Sequence, residues 1–497
     1  MAGKSGFIAR HGLWSDEQAR LADELGERIE REPLHLVRLV WSDTHGHACA
    51  KAVSVAAFKE ALRGGYNINV ATWTLDAAGG RVFRSFTRGG GMALDEMTGS
   101  PNLVIVPDPG TFRVLPWAPG IGWVLCDEYF RDAAPFHFSA RRRLRNALAR
   151  LDEQGMKAVV GLEVEWYLAR LLEERLTDAQ VGEPGLRGRP PATTPPEPGF
   201  SYHSESNMDV MQPVLSELAL AYEALGLGLR SVENEWGPGQ VECTFSAKDA
   251  MRAADDFVLF RTATRQICRR LGWLASFMSC PALKGHYPSG WHLHLSLADR
   301  KSGKNLFMPA DETEMLSPTG RHFLAGALEH AGACAVFATP TINGYRRFRA
   351  NSLAPDRACW GYDHRGVMLR VLGGAGDAAT RLENRIGEPA ANPYLYIASQ
   401  VAAGLDGIGR GLAPWPADDE PYEADRPMLP KSLGAALDSL AACPMIREAF
   451  GGVYIDYFIR LKQAEIARFE AFAQGEAEAA EPDRVTQWEM NEYFDFF

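Results

Sequence analysis

Glu163 and Glu165 stand two apart in the stretch GLEVEWYL. In an extended strand, residues at that spacing project from one face. Two neighbouring carboxylates repel each other, and a divalent cation of the Mg²⁺ or Mn²⁺ type, which favours carboxylate oxygens, cancels that repulsion. A sheet face open to water would tolerate the pair without one. Glu235 and Glu242 flank a Gly-Pro-Gly turn in ENEWGPGQVECTF. A hairpin there could bring both acids to one point, although polar hairpin tips are common. His292 and His294 alternate in SGWHLHLSL, with Ser296 continuing the same face. Such a pair suits a metal or a phosphate, or else forms a satisfied core pair.

Arg347, Arg365, Arg370, Arg381 and Arg385 follow, with Glu383 among them in RLENR. Guanidinium groups gathered in strand-like segments repel unless anions share the site, and Arg takes phosphate and carboxylate in a bidentate way. Any one of these arginines could be a surface ion pair. The order of acids, histidines and arginines is more informative than any single group.

Short elements must position these residues. SDEQARLADELGERIERE, opened by the capping residue Ser15, predicts a helix ending before Pro33. LHLVRLVWSD (34 to 43), NLVIVPD (102 to 108), FRVLPW (112 to 117) and GWVLCDEY (122 to 129) read as strands of a small β-rich domain over 34–135. Residues 1–33 form an N-terminal helical segment before it, and 136–497 a larger domain with helices near 139–154, 208–225 and 249–271 and strands at 158–168, 228–234 and 240–246. A length of 497 residues suits such a two-domain α+β chain. EPGLRGRPPATTPPEPG (183 to 199) is too proline-rich for a packed element and reads as a loop beside the site. The basic run Arg141, Arg142, Arg143, Arg145 and Arg150 reads as a solvated helix face.

A formal net charge of -11 argues against nucleic acid or anionic membrane as partner and for small molecules. Eight cysteines are scattered singly, with no CxxC spacing, as expected in a reducing compartment. With neither a signal-peptide pattern nor a long apolar run, the expected location is cytoplasmic.

GLEVEWYL, ENEWGPGQVE, SGWHLHLSL, NGYRRF, RLENR and ANPYLYIASQVAAGLDGI, in this order, resemble the glutamine synthetase family from about residue 34 to the end. The resemblance implies a β-grasp domain followed by a catalytic domain with a curved antiparallel sheet and flanking helices. It also implies a homo-oligomeric ring, dodecameric by preference, with active sites between subunits. Glu165, Glu235 and Glu242 would bind one metal, and Glu163, His292 and Glu383 a second beside the ATP phosphates, for two to three Mg²⁺ or Mn²⁺ ions. His294 and Ser296 match nucleotide positions. Arg365, Arg370 and Arg381 match phosphate-contacting positions, and Arg347 and Arg385 match positions holding glutamate. The implied chemistry is an ATP-dependent ligation through γ-glutamyl phosphate.

The sequence departs from that pattern in the segment RRFRANSLAPD, where Leu353 takes the place of a glutamate that serves ammonium. A leucine neither accepts a proton nor stabilises a cation. An organic primary amine, alkyl or aryl, is therefore the expected acceptor. Tyr287, in KGHYPSGWH, replaces part of an Asn-Gly pair near glutamate. Asp76 in TWTLDAAGG is the best match to the family's ammonium-binding aspartate, and Tyr202 in GFSYHSE to an acceptor-pocket tyrosine. Trp291 and Trp360 could add aromatic surface near the substrates or simply pack. The alternatives are a true glutamine synthetase using ammonia and an inactive family member with a regulatory or structural role.

Overall fold

The computed structural model describes residues 6–173, 175–349, 351–474 and 484–497. A short helix, Phe7–His11, precedes the helix Asp16–Arg31, which starts at Ser15, whose hydroxyl accepts from the Gln18 amide while Gln18 reaches back to the Ser15 amide. That reciprocal cap satisfies two of the orphan donors of a helix start. The helix ends before Pro33, as the sequence predicts.

A six-stranded sheet follows: β1 (Leu36–Ser42), β2 (Ala48–Ser54), β3 (Tyr66–Asn69), β4 (Asn102–Pro107), β5 (Arg113–Val114) and β6 (Ile121–Tyr129). The order is β2-β1-β6-β4-β3, with β5 also on β6. β1 and β6 run parallel, and the other pairs are antiparallel.

The larger sheet is organised around one long strand, β7 (Met156–Leu171). Along it Leu162, Val164 and Trp166 are buried on one face while Glu163 and Glu165 point to the other. β8 (Thr193–Thr194), β9 (Leu229–Asn234), β10 (Gln240–Phe245), β11 (Lys248–Asp249), β12 (Trp273–Ser276), β13 (Trp291–Asp299), β14 (Trp360–Tyr362), β15 (Leu369–Leu372) and β16 (Arg381–Gly387) complete it. The path is β14-β15-β16-β13-β7-β10-β9, and β8, β11 and β12 also pair with β7. Only β14 and β15 are parallel among these pairs. Helices Ala140–Glu153, Ala250–Arg270 and Pro393–Arg410 pack together behind the sheet, and Pro393–Arg410 is buried almost all round. One buried apolar cluster contains residues of both sheets. No helix among the described residues is long and apolar enough to cross a membrane.

Except at Arg150, which is exposed, the basic run does not form a solvated face. Arg141 is buried, 3% exposed at its side chain, and donates to Asp255 at 2.9 and 2.8 Å, Asp127 at 2.8 Å and Asp108 at 2.7 Å. Arg145 also binds Asp127, and Arg143 donates to the Phe450 carbonyl. Acids from β6, from the end of β4 and from the helix Ala250–Arg270 surround this helix, and sequence proximity reveals none of those partners. The proline-rich stretch is largely irregular, as expected, with Thr193–Thr194 paired to β7 and a single bridge between Glu183 and Leu186. Its end reaches the acidic hairpin: the Glu197 carboxylate accepts from the Gly239 amide, and the Phe200 amide donates to the Trp236 carbonyl at 2.7 Å.

Candidate active site

Strand register gathers the acids and histidines. Glu163 lies opposite His292, Glu165 opposite Glu242, and Glu383 opposite both His294 and Arg370. His292 Nδ1 sits 2.5 Å from Glu163 Oε1 and 3.7 Å from Glu383 Oε1, while His294 Nε2 sits 3.0 Å from Glu163 Oε2. Glu165 Oε2 accepts from the Gly290 amide at 2.9 Å and from Gln240 Nε2 at 3.0 Å. The Arg381 Nε–H donates to His294 Nδ1 at 3.0 Å, which leaves the other ring nitrogen to carry the proton toward Glu163.

The charges divide into two kinds. Burial raises Glu163, but His292 and His294 outweigh it and hold the carboxylate below its usual range. Glu383 is likewise lowered, since His292 and Arg385 prevail over burial. Glu242 is pushed up to about 10 by burial and by Glu163, Glu165 and Glu235. Glu235 is pushed up to about 8 by burial and then Glu165. The ion pairs of the described residues include none to Glu235 or Glu242. The sheet face is therefore short of positive charge beside hard oxygen ligands and imidazoles, which is the donor set a divalent cation takes.

Ligand atoms of Glu163, Glu242 and His292 lie within 4.8 Å of one another, as do those of Glu163, His294 and Glu383. A third such group is His203, Glu233 and Glu235. Glu163 belongs to the first two groups and so links Glu242, His292 and Glu383 of the expected ligands, while Glu235 falls in the third group and Glu165 in none.

The arginines occupy different depths. Arg370 Nη1 donates to Glu383 at 3.0 Å and also pairs with Asp363, and Arg385 pairs with Glu383. Arg385 Nε is buried without a hydrogen-bond partner among the described residues. Arg347, 3% exposed, spends its guanidinium on the carbonyls of Ile386 and Gly387. Gly290 makes room for it, since a Cβ there would lie 2.7 Å from Arg347 Nη2. His294, Ser296 and Arg381 line a groove of about 780 Å³ that runs on from Glu163. Arg365 and Leu353 line a further surface recess of about 430 Å³ with Asp363 and Tyr422, and the Arg365 charge is felt at Tyr202. Leu353 is 48% exposed with φ 60°, a left-handed backbone rare for leucine.

Tyr202 lies near Glu235, and burial and then the Glu235 charge raise its phenol to about 12. Its ring stacks on Trp236 at 5.4 Å and 6°, both rings are partly exposed, and Tyr287 lies 6.4 Å beyond Trp236. Tyr287 is fixed by its backbone, which exchanges hydrogen bonds with the Tyr167 hydroxyl. Trp291 and Trp360 are buried packing residues, the first between Phe257 and Tyr396 and the second donating to the Trp415 carbonyl. Asp76 is not joined to this face within the chain: its carboxylate accepts from the Ala78 and Gly80 amides and from Arg468 Nε at 2.8 Å. Sequence reasoning missed Trp236 and Gln240, both inside the hairpin that carries Glu235 and Glu242. A bulky aromatic at a Gly-Pro-Gly tip was the available signal.

A family profile described as "Glutamine synthetase, catalytic domain" matches residues 137–493. The chain is 42% identical over 500 residues to a γ-glutamylanilide synthase of an Acinetobacter species, covering 99% of each. It is 31% identical over 403 residues to a glutamate–isopropylamine ligase of a Pseudomonas species, covering 80% of this chain and 82% of that one. A solved structure titled "Apo GmaS without ligand" superposes with a TM-score of 0.75 at 26% identity, covering 94% of this chain and 98% of that one.

Proposed function

The chain belongs to the glutamine synthetase family, and from that premise we propose that it joins the γ-carboxylate of glutamate to an organic primary amine, alkyl or aryl, at the expense of ATP. It is a carbon–nitrogen ligase acting on glutamate and an amine, and its family uses ATP and a divalent metal. The organic amine is supported above all by one observation: the acid-bearing hairpin ends in the partly exposed Tyr202–Trp236 stack. An ammonium ion gains little from such a surface, whereas an apolar or aromatic amine covers it.

In this reading Glu163, Glu165, Glu235, Glu242, His292 and Glu383 hold two to three Mg²⁺ or Mn²⁺ ions, which supply charge neutralisation at the phosphates. Arg370 and Arg381, with Arg365, face the transferring phosphoryl group, and His294 and Ser296 line the nucleotide groove. Arg347 and Arg385 serve the glutamate end. The γ-carboxylate of glutamate attacks the γ-phosphorus of ATP, ADP leaves, and γ-glutamyl phosphate forms. A neutral amine attacks its carbonyl carbon, phosphate departs, and the amine nitrogen gives up a proton. Tyr202, Tyr287 and Leu353 border the acceptor. Asp76, tied to Arg468 in its own chain, would act at a neighbouring subunit's site in a homo-oligomeric ring, for which a dodecamer is the proposed form. A β-grasp domain over 34–135, a catalytic domain over 136–497 and a cytoplasmic setting, where ATP and glutamate are supplied, complete the proposal.

Phosphate release from ATP with glutamate and Mg²⁺, measured across ammonium, ethylamine, isopropylamine, polyamines and aniline with mass spectrometry of products, tests it. Turnover confined to organic amines with a γ-glutamyl amide product is expected. Fastest turnover with ammonium would overturn the acceptor assignment.

A further inference from the structure

Away from the acidic face, the turn between β1 and β2 meets the helix Ala250–Arg270 at a cavity of about 340 Å³. Arg261, Arg265, Arg269 and Arg270 line it together with His47 and Phe496. Arg261, Arg265 and Arg269 are spaced four apart on one helix face, where like charges destabilise the helix.

Their partners do not neutralise them. Arg261, 6% exposed, donates to the carbonyls of Pro389 at 3.2 Å, Ala391 at 3.3 Å and Gly46 at 2.5 Å, and to no carboxylate among the described residues. Gly46 sits at φ 78°, and a Cβ there would lie 2.8 Å from Arg261 Nη2, so the turn is pressed onto the guanidinium. Arg265 donates to the main-chain carbonyls of Phe496 and Asp495 and lies 3.8 Å from the Asp495 carboxylate. Arg269 already holds that carboxylate, at 2.8 and 2.9 Å. Arg270 donates to the Gln266 carbonyl.

Among the described residues, one close carboxylate thus serves this set. Asp43, behind the turn, is pushed up to about 7 by its own burial and is a weak counter-charge. Burial and then the Arg265 charge bring Arg261 down to about 9, the mark of a cation lacking an anion. His47, lowered to about 3 by burial and then by Arg265 and Arg261, is neutral and stacks on Phe496 at 4.9 Å.

We propose that this cavity binds a small dianion, a dicarboxylate or a phosphorylated metabolite, at a site separate from the active site. Guanidinium forks take carboxylate and phosphate oxygens in pairs, and two negative charges offset the excess that Asp495 leaves. The volume lies at the lower end of small-molecule sites, on the order of 300–1,000 Å³, which favours a compact ligand. A ligand there would touch the turn of the small sheet and the helix behind the catalytic sheet at once.

Calorimetric titration of malonate and of inorganic phosphate into the full chain, with ADP and Mg²⁺ present and acetate as monoanion control, tests the site. Arg269 and Arg270 are exposed, so Arg269→Ala combined with Arg270→Ala should leave the fold intact, verified by the melting temperature. Arg381→Ala serves as the control for binding in the nucleotide groove. The expected result is one dianion per chain, at least tenfold weaker in the double variant, unchanged in Arg381→Ala, and at least tenfold weaker for acetate. Tighter malonate binding names a dicarboxylate and tighter phosphate binding a phosphorylated ligand. No binding by either probe, equal affinity in the double variant, or loss in Arg381→Ala would each overturn the proposal. Because binding is read without turnover, its failure would leave the ligase assignment standing.

Discussion

Titrating Mg²⁺ or Mn²⁺ into the metal-free chain at pH 7 should expel about two protons per chain, because ligand carboxylates must be deprotonated to bind. The two come from Glu242, raised to about 10, and Glu235, raised to about 8, both by burial and then by the neighbouring acids. One pKa unit corresponds to about 1.4 kcal/mol, so emptying Glu242 at pH 7 costs on the order of 4 kcal/mol and Glu235 on the order of 1.4 kcal/mol. The cation must offset both, and its affinity should climb about a hundredfold per pH unit below pH 8 and about tenfold per unit between 8 and 10. For the metal-free chain the sign is the reverse. A carboxyl raised on folding favours the fold below its unfolded pKa, and that advantage is lost as pH rises through the raised value. Metal-free stability should therefore fall between about pH 4.5 and 10. Calorimetry in buffers of different ionisation enthalpy counts the protons, and Glu242→Gln should reduce the count to about one. Proton release near zero, or an affinity flat from pH 6 to 8, would refute the placement of a cation against these two acids.

Leu353→Glu should lower kcat/KM for apolar amines and raise use of ammonium; an unchanged amine profile in steady-state assays would remove Leu353 from the acceptor site. Trp236→Ala should cut kcat/KM for aniline about tenfold, on the order of 1.4 kcal/mol, while leaving the KM for ATP unchanged. Arg141→Ala should destabilise the chain by about 3–5 kcal/mol in urea unfolding, because it removes the buried guanidinium shared by Asp255, Asp127 and Asp108.

Much of the fold was legible because its signals are local. The Ser15 cap, the alternation in GLEVEWYL and the break at the proline-rich stretch each depend on residues within a few positions. The candidate site was legible as a set of residues but not as an arrangement. Nothing near Glu163 says that His292, 129 positions on, will face it across a strand pair, or that Glu165 will face Glu242. Arg141 was misread for the same reason: its acids at 108, 127 and 255 arrive from other elements, and helix periodicity carries no trace of them. Trp236 escaped notice because an aromatic at a turn packs more often than it binds, and only its exposure beside Tyr202 distinguishes the two.

Like charges gather in two places in this chain, and the two call for opposite ligands. On the sheet, strand pairing forces Glu163, Glu165 and Glu242 together, and the histidines and arginines nearby are committed to Glu163 and Glu383 rather than to Glu242 or Glu235. On the helix Ala250–Arg270, a four-residue repeat forces three arginines together, and Asp495 serves mainly one of them. Neither grouping stabilises the fold by itself, since burying unpaired like charges costs free energy. Each persists because the apolar core beneath it is extensive enough to hold the backbone in place. The charge imbalance is thereby available to a ligand of the opposite sign, a divalent cation at the first site and a dianion at the second.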